Sequence, residues 1–231
     1  MPNRKKRPQR SRSASLLVLA VVILGGIWVA EQISARGFGP AWLEYLFAAD
    51  APSAGLQVGL IAGHSGHDSG AVCPDGLTEA EVNQRVAELA AEGLRKRGLR
   101  VEILEEFDDR LQGYRAVAFV SIHSDSCQVD FSGFKVANQE GGSEASARLT
   151  ACLWDEYGAA TGLSRHPSTI TVDMTRYHAF REISADTPAS IIELGFLNAD
   201  RELLTGQPDR AAGGIVNGVL CSLAPPAPAS P

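Results

Sequence analysis

The sequence predicts an α/β fold: one open, mainly parallel, twisted sheet with helices on both faces, preceded by a single transmembrane helix. Three observations point there. Short apolar runs such as Leu56–Ala62 and Ala189–Phe196 have the length of buried strands. Between them lie stretches with apolar residues at helical spacing, and such alternation implies parallel strands joined through helices. Ahead of both stands a charge-free segment behind a cluster of basic residues.

Taken in order, Arg4, Lys5, Lys6, Arg7, Arg10 and Arg12 make residues 1–13 a basic tail. The chain totals −6 and this tail holds +6, which leaves −12 for the remainder. Residues 14–30 carry no charge and are just long enough to span a bilayer. Positive charge before them and none directly after predicts a cytoplasmic N-terminus and an extracytoplasmic remainder. A cleaved secretory signal is the competing reading. Against it stand the bulky Ile27-Trp28 pair and the weak Ser34-Ala35 cleavage option. A buried core helix is the third alternative. Either leading reading exports the chain, and its acidity offers no patch for nucleic acid.

Residues 31–55 read as a linker broken by Gly37, Gly39, Pro40 and Pro52, with a short amphipathic stretch at Ala41–Phe47. The folded domain is assigned to residues 56–224. Its first strand is Leu56–Ala62. Thr78 caps a helix carrying Val82, Val86, Leu89, Ala90 and Leu94, and Gly98 stops it. Arg100–Leu104 and Ala116–Ile122 are the next strands, and Gly133–Ala137 is a candidate fourth. Ser143–Tyr157 is a helix, Thr169–Val172 another candidate strand, and Ala189–Phe196 a buried one. Pro208 opens a last helix ending near Leu223. Residues 225–231 form a Pro/Ala-rich tail expected to be disordered.

Chemistry concentrates in three places. His64 follows the first strand within Gly63-His64-Ser65-Gly66-His67-Asp68, Glu79 opens the first long helix, and His123 ends the third strand. Ligands in open α/β sheets bind beyond the carboxyl ends of the strands. Two imidazoles and a carboxylate converging there match a catalytic zinc site, which leaves one position open. Glu193 stands inside an apolar strand, where a charge is expensive unless something compensates it. Each residue also has an ordinary reading. The histidines fit hydrogen-bonded structural residues, Glu79 a first-turn acid favoured by the helix dipole, and Glu193 half of a buried ion pair. Periodicity and composition do not decide between these readings.

The order Gly-His-x-Gly, Glu, Ser-x-His, Glu-x-Gly-Phe resembles the zinc-dependent N-acetylmuramoyl-L-alanine amidases of bacterial cell walls, from about Leu56 to Leu223. The resemblance implies one Zn²⁺ per chain on His64, Glu79 and His123, with Glu193 as the catalytic base. It implies peptidoglycan as the partner and, as the reaction, hydrolysis of the amide between N-acetylmuramic acid and L-alanine. Glu81 is the alternative carboxylate ligand. His67 and Asp68 are candidates for substrate contact or for orienting a ligand histidine, against a solvent-facing loop. His178 is a candidate cleft residue donating to the transition state, and His166 is assigned nothing. With the two histidines converging, Cys73 and Cys127 become candidates for one disulfide, and Cys152 and Cys221 for a second.

Departures are also visible. Ile61-Ala62 stand where the family has Asp-Pro, and the stretch from Leu104 to Ala116 is short for the helix otherwise expected. The segment from His123 to Glu193 is too short for the autoinhibitory helix of some members. Two other functions stay open, an exported zinc peptidase acting on another amide and a catalytically silent wall-binding or regulatory module. Nothing in the sequence speaks to oligomeric state.

Overall fold

The computed structural model describes residues 56–225. The expected basic tail, transmembrane segment and linker, and the tail from residue 226 onward, lie outside the described residues. Among the described residues no helix is long and apolar enough to cross a membrane.

Five strands form one sheet: β1 (Gln57–Ala62), β2 (Arg100–Leu104), β3 (Ala118–Asp125), β4 (Lys135–Ala137) and β5 (Ala189–Phe196). Their order is β2-β1-β3-β5-β4, parallel throughout except for β4, which pairs antiparallel at the edge. Three long helices accompany it, α1 (Glu79–Arg95), α2 (Glu144–Thr161) and, after the short α3 (Val172–Thr175) and α4 (Ala179–Glu182), α5 (Pro208–Leu223).

The two faces differ. Val58, Leu60, Ala62, Val120, Ile122, Ile192 and Leu194 form one buried cluster with the apolar stripes of all three long helices. Ile61, Leu104, Phe119, Ala189 and Ile191 point the other way, onto Leu111, Met174, Tyr177, Phe180 and Ile183. Helices thus cover both faces, but every long one lies on the first. The connection from β2 to β3 is too short for a helix of several turns and carries only a 3-10 turn at Asp109–Leu111.

Local chemistry explains the element ends. Thr78 and Glu81 form a reciprocal capping box, satisfying backbone donors at the start of α1. Gly162, in the left-handed conformation at φ 75°, stops α2 four residues beyond the expected Tyr157. The strand expected at Thr169–Val172 is absent. Pro167 begins a 3-10 turn there, and the Thr171 hydroxyl caps α3 by accepting from the Met174 N–H at 3.3 Å. The third strand runs past Ile122 to Asp125 because β5 continues to pair with it, His123 opposite Glu193.

Cys73 and Cys127 form a disulfide, as do Cys152 and Cys221. The first ties the loop after β1 to the loop after β3, and the second joins α2 to α5.

Candidate active site

The carboxyl ends of β1, β2, β3 and β5 share one rim, and the side chains singled out in the sequence gather on it. His64 stands two residues past β1 in a tight turn, with Ser65 N–H donating to Ala62 O and His67 N–H to His64 O. Its φ is +66°, the left-handed region, which costs a non-glycine residue on the order of 1–2 kcal/mol. Such strain persists only where surrounding contacts hold it. Here the His64 N–H donates to Glu106 Oε2 at 2.8 Å, and its Nδ1 lies 2.6 Å from Asp68 Oδ1.

Glu79 occupies the first position of α1 and reaches over the rim. Its Oε1 lies 3.2 Å from His64 Nε2 and 3.2 Å from His123 Nδ1, while the Ser124 and Ala71 N–H groups donate to its two oxygens. Asn83, one turn on, donates to both Glu79 Oε1 and Gly63 O, locking the helix start to the strand end. Gly63 is required at its position, because a Cβ there would sit 2.4 Å from the His123 ring. His64, Glu79 and His123 each present a ligand atom, all within 4.8 Å of one another. Two neutral imidazoles and one carboxylate are the donor set of a catalytic metal centre with a free coordination position.

Electrostatics agree with that chemistry. The hydrogen bond to Glu79 outweighs burial and raises His64 to about 9. Burial works against a charged His123, but Glu79, Glu193 and Glu106 together raise it. Burial also works against a charged Glu79, and the hydrogen bonds from both histidines overcome it and hold the carboxyl well below the usual range. Metal binding at this set would require both imidazoles to be unprotonated at their ligand nitrogens.

Glu193 sits on β5 directly opposite His123, with Lys135 of β4 opposite it on the other side. Its Oε2 is sealed from solvent and has no hydrogen-bond partner. Burial, with the charges of Glu79 and Asp125, pushes the carboxyl up to about 7, against the opposing pull of His123 and Lys135. A carboxyl poised near neutrality beside a metal-ligand set suits proton transfer.

The remaining predicted residues divide. Asp68 accepts from the Gly70 N–H at 2.8 Å and touches the His64 ring. His67 is exposed, its ring 4.6 Å from Phe107. His178 is half-buried, with Nε2 3.0 Å from Glu106 and Nδ1 2.8 Å from Glu182. Glu81 is spent on the helix cap, which leaves Glu79 as the carboxylate facing the histidines. His166 bonds Thr169, and its ring lies 5.5 Å from that of Phe196, apart from the histidine–glutamate cluster's own hydrogen bonds.

Three residues at the site were not singled out from the sequence. Glu106 is 6% exposed and bonded to His64, Tyr177 and His178. Tyr177 places its hydroxyl 3.5 Å from His123 Nε2. Lys135, 5% exposed, pairs with Asp125 at 2.5 Å. Glu106 did carry a signal, since it stands two residues past β2 as His64 stands two past β1.

Comparison with known proteins agrees with this arrangement. Residues 58–221 match the family model described as N-acetylmuramoyl-L-alanine amidase. No individual curated protein matches. Among solved structures, the fold is similar to the N-acetylmuramyl-L-alanine amidase Ami1 of Mycobacterium smegmatis, with a TM-score of 0.61 at 20% identity over 75% of this chain and 99% of that one. The CwlD amidase of Clostridioides difficile, solved in complex with the GerS lipoprotein, gives 0.60 at 20% identity over 73% and 98%. The catalytic domain of CwlV from Bacillus (Paenibacillus) polymyxa var. colistinus gives 0.55 at 24% identity over 73% and 98%. With the family model covering the sheet, the long helices and the whole histidine–glutamate rim, the chain belongs to the N-acetylmuramoyl-L-alanine amidase family, enzymes that hydrolyse the amide linking peptidoglycan glycan to its stem peptide.

Proposed function

We propose that the amidase works with one zinc ion held by His64, Glu79 and His123, with Glu193 as its general base. The observation that carries this reading is the inward-facing ligand set beside a buried Glu193 oxygen that has no partner of its own. Zinc at that position supplies a Lewis acid for the scissile carbonyl and lowers the pKa of water. Glu193 takes a proton from the attacking water and returns it to the departing L-alanine amine, a role worth about 10² to 10⁴ in rate. Asn83 and the Ser124 and Ala71 N–H groups keep Glu79 anionic and oriented. Lys135, through Asp125 and its place opposite Glu193, holds positive charge near the base. Phe107, exposed at 55% with the His67 and His178 rings within 4.6 and 4.4 Å, offers a wall for substrate beside the ligands.

The domain acts outside the cytoplasm, tethered to the membrane by residues 14–30. The basic residues before that segment and its freedom from charge support this, as do two disulfides, which persist on the oxidising side of a membrane.

Digestion of purified peptidoglycan, with mass spectrometry of the products, tests the mechanism. Zinc-loaded protein should release stem peptides with an L-alanine amino terminus. Glu193→Ala should bind zinc and release none, and chelator-stripped protein should recover only when zinc returns. Full turnover without metal would overturn the zinc assignment.

A further inference from the structure

Glu106 lies outside the ligand set proposed above, yet it touches both histidines of that set. Its Oε2 accepts the His64 N–H at 2.8 Å and lies 3.5 Å from His123 Nε2, the ring nitrogen turned away from Glu79. Its Oε1 accepts the Tyr177 hydroxyl at 2.8 Å and faces His178 Nε2 at 3.0 Å. The Tyr177 oxygen is itself 3.5 Å from His123 Nε2, so hydroxyl and carboxylate receive that N–H together. On the other histidine, Asp68 stands at Nδ1, again the nitrogen turned away from Glu79.

A metal-bound imidazole that donates its second N–H to a carboxylate is fixed in both tautomer and ring orientation. We propose that Glu106 is the positioning residue of the metal centre. Through Tyr177 it selects the His123 tautomer that leaves Nδ1 free for the ion. Through the His64 N–H it holds that residue in the left-handed conformation that aims Nε2 at the same point. Asp68 completes a matched pair, one outer carboxylate for each ligand histidine. The inference rests on His64, Glu79 and His123 being the ligands.

Zinc affinity, measured by competition with a chromophoric chelator, tests it on the whole protein. Glu106→Gln keeps the shape and removes the charge. It should weaken zinc by about 10- to 100-fold while the metal-free melting temperature stays close to that of the parent. Nitrogen-15 and proton NMR of the zinc-loaded proteins should show a hydrogen-bonded His123 Nε2–H in the parent and a weakened bond at that N–H in the variant. Tyr177→Phe, which keeps the carboxylate and removes the bridging hydroxyl, should lower affinity several-fold. It serves as the deciding variant if Glu106→Gln does not fold. Parent-like zinc affinity in the folded variants would overturn the role of Glu106. A parent that binds no zinc would instead overturn the ligand assignment beneath it.

Discussion

The two faces of the sheet are built from the same strands and do different work. On one, α1, α2 and α5 bury continuous apolar stripes, and the Cys152–Cys221 disulfide joins two of those helices. On the other, a 3-10 turn, two four-residue helices and their connections cover the strands. Most of the polar residues of the site belong to this second face: His123, Glu193, Glu106, Tyr177 and His178. Glu79 and Asn83 arrive from the start of α1, and His64 from the turn after β1. Stability on the first face comes from area removed from water, which regular helices supply efficiently. Chemistry on the second needs individual groups aimed at one point, and irregular chain can deliver them from several directions. Burial there is bought with charge pairs and hydrogen bonds between residues far apart in sequence.

That contrast can be broken experimentally, starting with the largest effect. Glu193→Gln should cut turnover by about 10² to 10⁴ with zinc retained, as read by steady-state hydrolysis and metal content. It should also stabilise the metal-free protein above pH 7. The folded carboxyl is raised to about 7, so between its unfolded value and about 7 the native state binds more protons and stability falls as pH rises. Removing the charge removes that loss, and parallel thermal melts across pH should show the two proteins diverging. A variant that melts like the parent at every pH would place Glu193 in solvent.

Leu94→Ala, at a fully buried position of α1, should do the opposite. It should cost about 2–5 kcal/mol of stability in denaturant titrations, with turnover per folded molecule unchanged. Loss of turnover out of proportion to unfolding would show that the faces are coupled. Replacing both Cys152 and Cys221 by Ala should likewise cost about 2–5 kcal/mol without altering zinc affinity.

Proton linkage gives a subtler readout. His64, raised to about 9, and His123, also raised, must lose their protons to bind metal. Zinc binding near neutral pH should therefore release protons, seen in calorimetry as a buffer-dependent heat, and affinity should climb as pH rises toward 9. Binding without proton release would mean that these imidazoles are neutral in the free protein. The smallest effect belongs to Thr78→Ala, which removes one half of the α1 cap and should cost about 1 kcal/mol. The accompanying shift in zinc affinity would report how firmly Glu79 depends on that cap.

How far the sequence could be read follows the same division. α1 was legible from its cap, its stripe and its stop, α5 from Pro208 and its stripe, and β5 from an unbroken apolar run. His64, Glu79, His123 and Glu193 were visible because each interrupts or ends such an element with a residue type that chemistry uses. The stretch from Glu105 to Tyr114 and that from Pro167 to Pro188 have no period, and little beyond the absence of a long helix after Leu104 is legible there. The candidate strand at Thr169–Val172 is instead the end of a 3-10 turn and the cap of α3, and no motif marks Glu106 or Tyr177. Glu106 stands beside Glu105, and apart from its place two residues past β2 its residue type does not distinguish the buried glutamate from its exposed neighbour. Lys135 joins the site only through the register that sets it opposite Glu193.

The sequence by itself therefore determined the alternation of strands and helices, the helix caps, the order of the four residues proposed to carry the chemistry and the family to which that order belongs. Those follow from short-range physics and from residue type, both written along the chain. Only the tertiary structure decided that the long helices share one face, that Glu81 is spent on a cap while Glu79 turns inward, and that Glu106 stands between His64 and His123, facing the latter with Tyr177. The reason is physical: a carboxylate's role depends on how much water it has lost and which donors replaced that water, and those donors arrive from parts of the chain up to 72 residues away.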